Sequence, residues 1–96
     1  MAKSQATLQE LNAAFNQTQF YAQITPYGWI DIYSRNEKDS CGNDAKIAEY
    51  FPLGNIYMPN ENIVTPTEGY FAPHKEGVAL QKICNEIGIE FNNNND

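Results

Sequence analysis

Two cysteines, one histidine and six basic residues are all that this 96-residue chain holds of the side chains used by many small-domain chemistries. Cys41 and Cys84 lie far apart, so neither a disulfide scaffold nor a paired-cysteine metal knuckle can be written. A single histidine, His74, rules out a His-x-x-x-His ligand pair. The glycine-rich phosphate loops are missing, and so is the calcium-loop pattern. The sequence therefore points to no metal, no cofactor and no catalytic residue. Six bases face twelve acids, a formal net charge of −6, which argues against nucleic acid and anionic membrane surfaces as partners. The acids form no run, so the charge reads as solubility rather than phosphate mimicry. No Lys or Arg occurs between Lys46 and Lys75, while Glu49, Glu61 and Glu68 fall inside that interval. There is no apolar run of signal-peptide or membrane-spanning length, and the expected setting is the cytoplasm, with both thiols reduced.

What is present is an ordinary apolar fraction, 42%, enough for one core and one domain. Residues 1–91 are read as that domain. The Asn-rich end, 92–96, has nothing apolar to bury and reads as a disordered polar tail.

Thr7-Leu8-Gln9-Glu10 fits a capping box, with Leu8, Leu11 and Phe15 on one face of a first helix running from about Leu8 to Asn16. Residues 19–25, QFYAQIT, and 29–33, WIDIY, alternate as strands do. The turn between them decides their register. A two-residue loop at Pro26-Tyr27 sets Ile24 opposite Trp29 and mixes apolar with polar positions on each face. A three-residue loop, Pro26-Tyr27-Gly28, pairs Ile24 with Ile30 and Ala22 with Ile32. It also gathers Tyr21/Tyr33, Gln23/Asp31 and Thr25/Trp29 on the other face. Only the second register keeps one face coherent, and it matches a type I turn with a bulge, Pro first and Gly in the left-handed position.

Residues 35–43 read as a polar loop, and DAKIAEYF, 44–51, as a short helix capped by Ser40 or Asn43, with Ile47, Tyr50 and Phe51 facing in. A second hairpin is expected from Ile56-Tyr57-Met58 and Ile63-Val64-Thr65, turning at residues 59–62. Gly69 to Ala72 reads as extended. A last helix is expected from His74 or Lys75 to Ile87, with Leu80, Ile83, Cys84 and Ile87 inward and Gly88 ending it. Ile89-Glu90-Phe91 adds a short strand. The fold class is α+β, in the order α-ββ-α-(ββ)-α-β. It has an antiparallel sheet of three to five strands, with two or three helices packed on its Phe20/Ile24/Ile30/Ile32 face.

Cys41, placed before a helix start, and His74 as its base make the sharpest enzymatic reading, but no spacing brings them together. Asp39 to Asp44 reads as a capped loop rather than a cation turn. Asp31, flanked by aromatics, is the one acid on a well-defined strand. The best lead is the aromatic face of the first hairpin: Tyr21, Trp29 and Tyr33 on one side, Asp31 among them, Tyr27 at the tip. Three covers compete for it: other elements of the chain, such as Ile56 to Phe71; a second chain; or a small apolar ligand. Tyrosine and tryptophan together suit a partly wet interface. The reading is a small acidic protein that binds another protein as regulator, inhibitor or immunity-type factor, and forms a homodimer. The alternatives are a small-molecule module with an aromatic pocket and a minimal Cys/His enzyme.

Overall fold

The computed structural model describes residues 5–53, 56 and 62–92. Helix α1 spans Leu8–Ala14 and begins with the capping box read from the sequence. Thr7 Oγ1 accepts from the Glu10 N–H at 3.1 Å, and Glu10 Oε1 accepts from the Thr7 N–H at 2.8 Å. Strands β1 (Phe20–Ile24) and β2 (Ile30–Lys38) form the hairpin with the three-residue loop. Tyr21 lies opposite Tyr33, Ala22 opposite Ile32, and Ile24 opposite Ile30. Gly28 takes φ 99°, the conformation the bulged turn requires.

The segment expected as a helix is instead strand β3, Asp44–Phe51, paired antiparallel to β2. The polar loop is correspondingly shorter: β2 continues through Lys38, and the chain turns over residues 39–43. A bulge explains why the sequence resembles a helix here. Ile32 faces Ala48 but Tyr33 faces Lys46, so Ile47 is an extra residue on the β3 side. Ile47 and Ala48 are both buried. The one-residue slip turns the strand alternation of 45, 47 and then 48, 50 into a spacing that also fits a helix.

Strand β4, Ile63–Pro66, pairs antiparallel with β3. The partner expected for it, residues 56–58, falls almost wholly outside the described residues. Residues 68–73 turn rather than extend, with Gly69 at φ 95°. Helix α2 spans Lys75–Ile87 and ends at Gly88, φ 80°. Strand β5, Glu90–Phe91, then pairs with β4 in parallel, which corrects the all-antiparallel expectation. A parallel pair needs a crossover, and α2 supplies it. The sheet order is β1-β2-β3-β4-β5.

Both helices pack on one face. Leu11 and Phe15 of the α1 segment, Leu80 and Cys84 of α2, and Ile89 join Phe20, Ala22, Ile30, Ile32, Ala48, Tyr50 and Val64 in one buried cluster. Alternation predicts Ile24 in this core, but it sits at the strand end and is 63% exposed. Two polar side chains are buried with the apolar ones. Ser34 on β2 donates to Glu76 Oε1 at 2.5 Å, and Gln19 Nε2 donates to the same oxygen at 3.2 Å, which ties the start of α2 to the sheet.

Candidate binding surface

Strand alternation places every other side chain of β1, β2 and β3 on the face away from the helices. All five residues singled out in the sequence gather there or at its rim. Tyr21 and Tyr33, directly opposite across the hairpin, stack at 5.3 Å with 13° between their planes. Tyr27 reaches from the turn to stack on Trp29 at 5.1 Å and 18°. Trp29 also meets Phe51 of β3 in a tilted contact at 5.6 Å. Asp31 lies between the two stacks and accepts from the Trp29 indole N–H at 3.2 Å.

Strand β3 supplies the other half of the surface. Phe51, Lys46, Glu49 and Asp44 project from β3 onto the same face, and a helix at 44–51 does not bring them there. Lys46 donates to Glu49 at 3.1 Å and lies 3.8 Å from Asp31. Asp44 accepts from the Tyr21 hydroxyl at 2.7 Å and pairs with Lys38. Arg35 sits over the Tyr21 ring, 4.5 Å from its centre. An Arg on an aromatic face is a common electrostatic contact, but its position after a strand of uncertain end gave no sequence signal for it.

The electrostatics follow from these contacts. The hydrogen bond to Asp44, then burial, raises the Tyr21 hydroxyl above its ordinary value. Burial, then the nearby Asp31 charge, raises Tyr33. Lys38 and then Tyr21 hold the Asp44 carboxyl below the usual aspartate value. Burial pulls Lys46 down, but Glu49 and Asp31 together outweigh it and leave the ammonium raised. The surface is thus a set of aromatic stacks stitched by ion pairs. Tyr21 and Tyr33 turn ring faces to each other, and Trp29 turns one to Tyr27. Tyr27 is 77% exposed beyond its contact with Trp29.

The cysteine–histidine arrangement takes a different form. Cys41 lies in the β2–β3 turn, with no helix start beside it to favour a thiolate. His74 caps α2: its Nδ1 accepts from the Glu76 N–H at 3.0 Å, and its ring meets Tyr70 edge-on. Among the described residues no hydrogen bond joins the two. Asp39 closes the turn by accepting from the Cys41 and Asn43 N–H groups at 2.8 and 3.0 Å, a local role typical of Asp in turns. No described helix is long and apolar enough to cross a membrane. Set against protein-family models, curated proteins and solved structures, the chain matches none of them.

Proposed function

We propose that this protein acts by binding another protein, and that the outer face of β1, β2 and β3 is the contact surface. One observation carries the reading. Both helices pack on the opposite face, while the outer face and its rim hold five aromatic rings, Tyr21, Tyr27, Trp29, Tyr33 and Phe51, packed against one another by ring contacts. Ordered aromatics with Arg beside them are the composition of interface hot spots, and ordering them before contact lowers the entropy cost of association. Regulator, inhibitor and immunity-type roles share this requirement. A cytoplasmic setting accords with the two free cysteines, one exposed and one buried.

The test is capture of a partner from native extract by the wild type, by Tyr27→Ala and by Trp29→Ala, each checked for an unchanged circular dichroism spectrum. A hot spot of about 2 kcal/mol corresponds to roughly 30-fold in affinity, so at least one variant should lose the partner while still folded. Full retention by both folded variants contradicts the proposal.

A further inference from the structure

We infer that the protein bound at this face is a second copy of the chain; the inference rests on the surface reading above. The observation is where the charge lies. Arg35, Lys38 and Lys46 stand on the outer face with Asp31, Asp44 and Glu49, three cations against three anions. The rest of the described residues carry seven acids against two lysines. The molecule is strongly acidic, yet among the described residues this face is balanced. The remaining described residues carry an excess of acid, so approach by this face meets the least net repulsion.

The balance is also of a kind that suits self-pairing. A two-fold interface sets one patch against itself, so the patch must hold both signs. Here Lys46 lies between two acids, Glu49 and Asp31, and can offer its charge to the acids of the second copy while its own acids receive the reciprocal lysine. A basic partner has less reason to choose this face, because long-range attraction would draw it to the acid-rich remainder. The exposed Tyr27 ring, at the hairpin tip, supplies apolar contact at the rim of the patch.

The experiment is sedimentation equilibrium of the full chain over a wide concentration range. The wild type is expected to dimerise. Lys46→Glu makes the face net acidic, and Glu49→Lys makes it net basic, so each alone should dimerise roughly ten-fold or more weakly, while an equimolar mixture regains the dimer. Circular dichroism and melting show whether both variants fold. Tyr27→Ala removes an exposed ring and should weaken the dimer by a similar factor whatever happens to the charge variants. A wild type monomeric into the millimolar range overturns the inference, as do charge variants that dimerise unchanged or a mixture no better than its parts. The outcomes separate the two claims. If the wild type is monomeric but Trp29→Ala still abolishes capture of a different protein, only the second-copy inference fails. If a dimer forms and survives both Tyr27→Ala and Trp29→Ala, the surface reading fails with it.

Discussion

Tyr21 is held by three neighbours of different chemistry: the Tyr33 ring, the Arg35 guanidinium and the Asp44 carboxylate. The hydrogen bond to Asp44 raises the phenol, and the contact with Lys38, then this same bond, holds the Asp44 carboxyl below its ordinary value. The signs of the linkage oppose one another along the pH axis. The Tyr21 contribution to stability is fully present below its ordinary value of 10.0 and is lost as pH rises through its higher folded value. The Asp44 contribution is present above its ordinary 3.8 and is lost as pH falls through its lower folded value. Asp44→Asn should therefore bring Tyr21 ionisation back toward 10.0, read by phenolate absorbance, and make acid unfolding less steep below 3.8. An unchanged tyrosine titration contradicts the pairing. The two thiols provide a second residue-scale check. Burial pushes Cys84 up to about 12, whereas Cys41 lies exposed in its turn. A disulfide reagent should modify one thiol per native chain, Cys41, and a second only after denaturation. Two fast thiols in the native protein contradict the burial of Cys84. Residues 21–33 were legible in the sequence down to the paired partners, because a short turn and strict alternation leave one coherent register.

At the scale of elements, the same logic failed where alternation breaks. Ala45, Ile47, Ala48 and Tyr50 are all buried, and the bulge at 47 and 48 makes their spacing fit helix and strand alike. Nothing local distinguishes the two; the pairing of β3 between β2 and β4 decides it. Lys46, Glu49 and Phe51, part of the candidate surface, reach the outer face only because 44–51 is a strand. Two contacts between elements were equally invisible and are now testable. Asn12 of α1 donates from its Nδ2 to the Ala22 carbonyl at 3.1 Å and accepts from the Ala22 N–H at 2.8 Å, closing the free edge of β1. Asn12→Ala should cost about 1–3 kcal/mol, the net worth of two hydrogen bonds whose backbone partners then turn to water. It should also raise hydrogen exchange at Ala22, because the edge is then open to water. An unaltered melting curve and unaltered exchange contradict that role. Gly77 of α2 has no room for a side chain: an added Cβ would meet the Tyr70 carbonyl oxygen at 2.2 Å, an approach that backbone must relieve. Gly77→Ala should lower stability by about 1–3 kcal/mol or more, as overpacking does, although alanine is the better helix former. A stabilised variant in chemical denaturation contradicts the close packing of α2 on the segment before it.

At the scale of the whole molecule, four strands form a sequential antiparallel meander, and α2 carries the chain back to add β5 in parallel. Two residues of β5 gave too short a pattern to reveal direction, so the sequence could suggest a strand there but not its sense. The consequence for function is that both helices are committed to one face. The ring-bearing, charge-balanced face is left to β1, β2 and β3, whereas the excess acid lies elsewhere. Trp29 is the only tryptophan in the chain and sits on that face between Tyr27 and Phe51. Its fluorescence therefore reports on this surface. The most direct measurement is Trp29 emission and iodide quenching across a wide dilution series of the full chain. Association through this face predicts blue, protected emission in concentrated protein that turns red and quenchable on dilution. Emission and quenching that stay the same at every concentration would contradict it.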